Sequence, residues 1–523
     1  MGRFQLGASF ALVALVAAAF AVWESAADGR DASAAAVPQS RPNVVVLMTD
    51  DQTVEDMDVM PRTRALLGAQ GVTFAHNYVS YPVCCPSRAT FFSGQYAHNH
   101  HVMGLYPPTG GYIRFDRWNS LPVWLQRAGY TTAHIGKYMN GYGTQVQADV
   151  PPGWSEWHGA IDGSTYRMWG YTLDDNGHRH TYGSPFVEDP RLYQTDVYRH
   201  KAVDFIRRRA PSKRPFFLSV AFLAPHHEMK PIRDVTGKLV RPAPRYASAL
   251  RDESLDTTRA FDERNVTDKP AFLRRGPLSV SVMDRIAEHF RQRQRTLLSV
   301  DDAVVAIVKA LRESGELDNT YIVFTSDNGY MQGEHDVPSG KMLPYDPSTQ
   351  VPLIVRGPGI PHGRVSKELV GNVDLSPTIL QAARAPAGLT QDGRSLLPFA
   401  RHPDWRTRRA FLHETGGERY VPVRDQDQDG EPAVRRILSY RAVRTNRWLY
   451  VEYRAGGREL YDLSRDPNEL HSHAYEPGYA PVGRVLHRLL MRLEHCTGAD
   501  CRRWAPPAAE HGPPVRRPGV RVG

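Results

Sequence analysis

The chain has 523 residues, 41% hydrophobic and 10% aromatic, enough for one large domain and a smaller one, which excludes global disorder. Lys and Arg number 65 against 56 acidic residues, a formal charge of +9. That excess is spread out, with no dense basic helix or aromatic-interleaved patch, so it excludes a nucleic-acid partner and suits an anionic substrate.

Arg3 precedes an apolar run from Leu6 to Trp23, and Ser25, Ala26 and Ala27 follow. A charged residue, a hydrophobic stretch and a small-residue site predict an export signal over residues 1–27, then a linker at 28–40. The run is also long enough to stay as a membrane anchor, which is the rival reading. No other segment is apolar enough to span a bilayer, so the expectation is a secreted or extracytoplasmic protein without stable membrane insertion after signal removal.

Residues 43–49 form a continuous apolar β-branched run, read as a buried parallel strand, and end in Asp50-Asp51. Helices are predicted at 61–70 and 121–128, with strands at 130–135 and 215–223. Apolar residues recur at helical spacing over 282–315, and a strand at 320–325 runs into Ser326-Asp327-Asn328-Gly329. A further strand follows at 351–355. Strands alternating with helices, with polar residues at strand ends, predict an α/β fold over 41–400: a large doubly wound mixed sheet flanked by helices. After about residue 400 the pattern changes to short strands at 439–444, 448–453 and 459–463 and a helix at 482–494. This predicts a small C-terminal α+β domain with an antiparallel sheet over 401–505, followed by a Pro- and Arg-rich tail at 506–523 expected to be disordered.

Four cysteines occur, Cys84, Cys85, Cys496 and Cys501. In an exported protein Cys496 and Cys501 read as a local disulfide. Vicinal Cys84 and Cys85 do not, because a bridge between neighbours is strained, so one of them is expected to do chemistry.

Three clusters sit at or near predicted strand ends: Asp50-Asp51, Cys84-Cys85-Pro86-Ser87-Arg88 and Asp327-Asn328. Acidic and amide oxygens without imidazole suit a hard divalent cation, Ca²⁺ or Mg²⁺, although Asp50-Asp51 alone would read as a turn or cap.

Cys84-x-Pro86-Ser87-Arg88 resembles the C-x-P-S-R motif of type I sulfatases, in the alkaline-phosphatase-like superfamily. The resemblance extends from about Arg41 to Arg502 through PNVVVLMTDDQ, GKYMNGYG, PPGWSEWHG, DNTYIVFTSDNGY, VPLIVRGPG and ELYDLSRDPNE. Glucosamine-6-sulfatase-like and arylsulfatase members look nearest. The resemblance implies that Cys84 is oxidised to formylglycine by a formylglycine-generating enzyme, with Cys85 in the variable position. It implies that Asp50, Asp51, Asp327 and Asn328, with the modified Cys84, surround one ion, Ca²⁺ with Mg²⁺ as the alternative. Arg88 would hold the formylglycine, and Lys137, His226 and Lys341 would bind the sulfate and the bridging oxygen. The chain departs from the family at Pro225-His226-His227-Glu228, where a second histidine follows the first, and at Gly136-Lys137-Tyr138-Met139, where a histidine is often found.

The chemistry is consistent with those roles. A sulfate ester repels nucleophiles, and charge grows on the leaving oxygen, so a cation with Lys137 and Lys341 would neutralise and orient it. A hydrated aldehyde has two hydroxyls on one carbon: one attacks sulfur and the other, once deprotonated, drives elimination of sulfate. The expected activity is hydrolysis of a sulfated small molecule or glycan. The alternatives are a phosphonate or phosphate monoester hydrolase of the same superfamily and a non-catalytic binder of sulfated polymers.

Other features carry blander readings. His98, His100 and His101 are expected on a loop rim near the pocket, and His335 and Asp336 either touch substrate or hold a loop. Asp425-x-Asp427-x-Asp429-Gly430 is rejected as a calcium hand, since Arg436 stands where Glu is needed. Asn265-Val-Thr267 is a sequon. Trp154, Trp157 and Trp169 read as core, and 174–177 as a hairpin turn.

Overall fold

Asn43–Asp50 (β1) is buried along its whole length, because it lies at the centre of a ten-stranded sheet. Its side chains alternate between two cores: Val44, Val46 and Met48 face one, Val45 and Leu47 the other. The computed structural model describes residues 41–510, except 145–148, 213, 229–239, 256, 275 and 417–438. The expected signal and linker, and the Asp425 to Arg436 stretch, lie outside the described residues.

The other strands of the large sheet are β2 (Val72–Tyr78), β3 (Thr131–Gly136), β4 (Glu156–Ala160), β5 (Tyr171–Asp175), β6 (His178–Tyr182), β7 (Phe216–Pro225), β8 (Thr320–Ser326), β9 (Leu353–Arg356) and β10 (Arg364–Gly371). The order is β10-β2-β9-β8-β1-β7-β3-β4-β5-β6. β8, β1, β7, β3 and β4 are mutually parallel, whereas β9 runs antiparallel to both neighbours and β5–β6 form a hairpin. Asn176 and Gly177, both at positive φ, make its turn.

Helices cover both faces, as a doubly wound sheet requires. One core includes α1 (Cys84–Ser93), α2 (Leu121–Arg127) and α5 (Leu375–Ala383); the other includes α3 (Gln194–Arg209) and the long α4 (Val280–Glu313). Ser279 caps α4 by accepting from the amide of Val282.

The second sheet is antiparallel, β11 (Phe411–Glu414), β12 (Tyr440–Arg444), β13 (Trp448–Tyr453) and β14 (Arg458–Asp462). One face packs on α6 (Ala480–Leu493) through Trp448, Leu460, Leu486 and Leu490. The other, with Ala442, Leu449, Val451 and Tyr461, packs on Met331, Val337, Leu343 and Tyr345 of the loop after β8. Cys496 and Cys501 are disulfide-bonded. Within the stretch read as a tail, Pro507–Ala509 form a short turn and Ala509 is buried.

Candidate active site

The parallel register brings four strand ends to one rim. Thr49 pairs with Ser326, Asp50 with Pro225, and Gly136 with Ala221. The next residues along each strand, Asp51, Asp327, His226 and Lys137, therefore leave the sheet side by side, where α/β folds place ligands. Asp51 adopts a left-handed φ of 67°, which aspartate tolerates better than most non-glycine residues. Gly136 has φ 102°, and a Cβ there would stand 2.1 Å from the Ala221 carbonyl oxygen. Only glycine lets the chain turn Lys137 into the site.

Cys84 is the first residue of α1, a helix buried on every side. Arg88 lies four positions on, hence on the same face one turn below, which is the physical content of the C-x-P-S-R spacing. Its Nε donates to Asp327 Oδ2 at 2.7 Å and its Nη1 to the Lys137 carbonyl at 2.6 Å. Ser87 donates to the Asp327 carbonyl oxygen and accepts from Asn372 at 2.9 Å, fixing α1 against the end of β8.

The nine residues picked out from sequence (Asp50, Asp51, Cys84, Arg88, Lys137, His226, Asp327, Asn328 and Lys341) come together in one buried cluster, each at most 2% exposed. Lys341 Nζ is 2.6 Å from Asp51 Oδ1 and 3.1 Å from Cys84 Sγ. Lys137 Nζ is 2.6 Å from Asp50 Oδ2 and 4.5 Å from the Tyr166 ring centre. Cys84 Sγ lies 3.3 Å from Asp50 Oδ1, and Asn328 Nδ2 donates to Asp51. His226 Nε2 faces Asp51 Oδ2 at 3.6 Å. Since a carbonyl oxygen can only accept, His226 Nδ1, 2.8 Å from the His227 oxygen, carries its proton.

Burial raises the carboxyl of Asp50, but Lys137, His226, Arg88 and Lys341 outweigh it and hold Asp50 well below the usual carboxylate range. Asp51 is lowered in the same way, against burial, chiefly by Lys341 and His226. Asp327 goes the other way: burial and neighbouring Asp50 outweigh Arg88. Burial, with Asp50 adding to it, pushes the Cys84 thiol well up, so as an unmodified thiol it is a poor nucleophile.

Three carboxylates face three cationic side chains here. Asp51 Oδ2 and Asn328 Oδ1 are buried acceptors without a hydrogen-bond donor, and ligand atoms of Asp50, Asp51, Cys84 and His226 all lie within 4.8 Å of one another. The oxygen donors here, from Asp50, Asp51, Asp327 and Asn328, fit a hard divalent cation, whereas the Cys84 sulfur and His226 nitrogen do not. A bound divalent ion would leave the cluster net positive, which favours an anionic ester.

Sequence reading missed Arg293 of α4. This buried side chain donates to the Asp51 and Pro225 carbonyl oxygens and lies 4.5 Å over the Tyr330 ring. Its signal was present: position 293 falls on the apolar stripe between Ile286 and Leu297, where an arginine needs partners. His335 proves to be a loop holder: it is buried, Nδ1 lies 2.6 Å from Glu263, and the ring packs 4.2 Å from Tyr345. His98 is bound to Glu414 and to the Cys496 carbonyl, and His100 to Thr90. Trp154, Trp157 and Trp169 are core. Met139 is buried 3.8 Å from Cys85 through sulfur.

Residues 42–385 match the sulfatase family, and residues 333–496 match the C-terminal region of N-sulphoglucosamine sulphohydrolase. N-acetylglucosamine-6-sulfatase of Homo sapiens is 36% identical over 88% of this chain and 86% of its own length. Arylsulfatase of Volvox carteri is 33% identical over 90% of this chain and 77% of its own. A protein solved with its substrate D-glucosamine-2-N,6-O-disulfate shares the fold with a TM-score of 0.70 at 21% identity, covering 91% of this chain and all of that one. A phosphonate monoester hydrolase from Silicibacter pomeroyi superposes with a TM-score of 0.64 at 22% identity, covering 86% of this chain and 94% of that one. No helix among the described residues is long and apolar enough to cross a membrane.

Proposed function

Because the chain belongs to the sulfatase family and is therefore a sulfatase, we propose that it cleaves the 6-sulfate of N-acetylglucosamine, or of a related sulfated sugar, outside the cytoplasm. Catalysis would use a formylglycine at position 84 and one Ca²⁺. The sugar is inferred from the curated relatives, whose likeness extends over most of both chains. The observation that carries the mechanism is the setting of Cys84, at a helix N-terminus between Lys341 and Asp50 with Arg88 one turn below.

Asp50, Asp51, Asp327 and Asn328 would hold the ion, which when bound supplies positive charge against the sulfate oxygens. Formylglycine supplies, as its hydrate, the paired hydroxyls that a serine or cysteine lacks. The remaining work falls to this chain's own groups. Lys137, beside Asp50, and Lys341, beside Asp51 and Cys84, bind the non-bridging oxygens of the ester. The N-terminus of α1 adds its partial positive charge where negative charge accumulates. Nδ1 of His226 is committed to the His227 carbonyl, so the proton for the leaving oxygen would come from Nε2 of the doubly protonated imidazolium. Arg88 fixes Asp327 and the Lys137 backbone, holding both charges in register.

The test is mass spectrometry of the tryptic peptide 65–88 from native-host protein, with turnover of N-acetylglucosamine 6-sulfate, aryl sulfate, and phosphate and phosphonate monoesters. Sulfur replaced by aldehyde oxygen at 84 with Cys85 intact, and the sulfated sugar turned over fastest, is the expected result. A phosphate or phosphonate preference would overturn the substrate class. Absence of the aldehyde, with no turnover even after co-expression with a formylglycine-generating enzyme, would indicate a binder.

A further inference from the structure

Outside the active site, the turn after β14 brings His471, His473 and Glu476 together. His471 Nε2 and His473 Nδ1 approach the same oxygen, Glu476 Oε1, at 2.8 and 2.9 Å. One ligand atom from each residue lies within 4.8 Å of the other two. The turn is held from behind by its own backbone. The amide of His471 donates to Asp466, that of Ser472 to Asp268 at 2.6 Å, and that of His473 to the Leu460 carbonyl of β14 at 2.8 Å. The His473 ring lies flat on Tyr479, 3.9 Å between centres with 4° between planes, so one imidazole is fixed by packing.

We propose that His471, His473 and Glu476 form a three-ligand Zn²⁺ site on the rim of the small sheet, completed by water. Zn–N and Zn–O bonds of about 2.0–2.2 Å place tetrahedral ligand atoms roughly 3.3–3.5 Å apart. Each imidazole–carboxylate pair therefore opens by about half an ångström to admit the ion. His471 and Glu476 are exposed enough to make that adjustment, while His473 stays seated. On binding, the ring proton now shared with Glu476 moves to the other nitrogen of each imidazole, leaving a lone pair for the metal. Two imidazoles and one carboxylate suit Zn²⁺ and do not suit Ca²⁺, so the two ions would not compete for this position. Bound zinc would clamp residues 466–479 to β14.

The test titrates full-length protein, in excess Ca²⁺, with Zn²⁺ by calorimetry and with Co²⁺ by its visible spectrum. The expected result is one equivalent bound, with tetrahedral Co²⁺ bands. Affinity should be weakened roughly tenfold or more in His471→Ala or Glu476→Gln while sulfatase turnover is unchanged. His471 is largely exposed, so its variant folds and keeps the test valid. Equal Zn²⁺ affinity and stoichiometry in wild type and His471→Ala, or no binding by wild type, would overturn the proposal.

Discussion

Arg293 Nη2 lies 2.6 Å from the carbonyl oxygen of Asp51, and its Nη1 lies 3.3 Å from that of Pro225. One guanidinium, fully buried in α4, thus clasps the ends of β1 and β7 and holds Asp51 in its left-handed turn. It also pairs with Asp56 at 3.4 Å. Arg293→Met strands these partners and should cost about 3–5 kcal/mol of stability. It should also raise the Ca²⁺ concentration needed for half-maximal turnover. Arg293→Lys should recover part of both. Thermal melts with and without chelator, and turnover against free Ca²⁺, check this; an unchanged calcium requirement in a folded variant would refute the positioning role.

The two neighbouring cysteines should behave differently on substitution. Cys84→Ala removes the residue facing Lys341 and should lower turnover by on the order of 10³-fold or more with the fold intact. Cys85 faces Met139 in the core, and burial pushes its thiol up to about 12. Cys85→Ala should therefore cost about 1–3 kcal/mol of stability and leave kcat within a few-fold. Circular dichroism and turnover for both variants decide the assignment. The reverse pattern would place the modified residue at 85.

Lys341 depends on a loop that turns back through Gly333, His335, Asp336, Gly340 and Met342, all at positive φ. His335 fastens that loop to residues 260–263: its amide donates to the Ala260 carbonyl at 2.8 Å and its ring bonds Glu263 at 2.6 Å. Burial pushes His335 down to about 3 and Glu263 up to about 7, so the pair shares one proton across the 2.6 Å contact. His335→Gln should lower kcat by roughly tenfold with KM little changed, and cost about 1–3 kcal/mol. A folded variant with normal kcat would mean that Lys341 is held by other contacts.

The pH dependence of stability should be unusual. Burial pushes the carboxyl of Glu459 up to about 7, against Lys269 and the hydroxyls of Tyr345 and Tyr453 that donate to it. An acid whose folded pKa exceeds its unfolded value, about 4.3, contributes most below that value, and its contribution is lost as pH rises toward 7. Glu334, also raised to about 7 by burial, acts in the same sense. Glu156 acts oppositely: burial is outweighed by His158 and Arg208, it falls to about 2, and its contribution is lost on acidification toward that pH. His100, His134, His335 and His413, pushed down to about 3 by burial, also act against the raised glutamates, losing stability as pH falls below about 6.5. Glu459→Gln should raise the Tm at pH 8 relative to wild type and not at pH 5. The same Tm difference at both pH values would disprove the assignment.

Strand ends were legible because β1, β7 and β8 are buried on both faces, so each reads as an unbroken apolar run that stops at a polar residue. That is why Asp50, Asp51, Asp327 and Asn328 could be read from strand ends, whereas Lys137, His226, Lys341 and the roles of Cys84 and Arg88 came only from the resemblance to sulfatases. Strand direction was not legible: Val351 to Val355 has the same composition whichever way it runs, and β9 proves antiparallel. β2, β6 and β10 were missed because they are partly exposed and carry histidines, lysine or arginine, and β5 because it is short and ends in two aspartates. Arg293 and Glu263 were missed because their contacts join segments far apart in sequence, which periodicity cannot report.

The inner face of the small sheet supports Val337, Leu343 and Tyr345, the residues on either side of Lys341. Lys341 is thus supported from behind by strands that contribute no group to the cluster. Exchanging Leu449 or Val451 for another apolar side chain would shift the ammonium by fractions of an ångström without altering any residue around Cys84. Two chains with identical pocket residues could then turn over at different rates, and directed evolution of catalytic speed has a target some hundred residues downstream of the site.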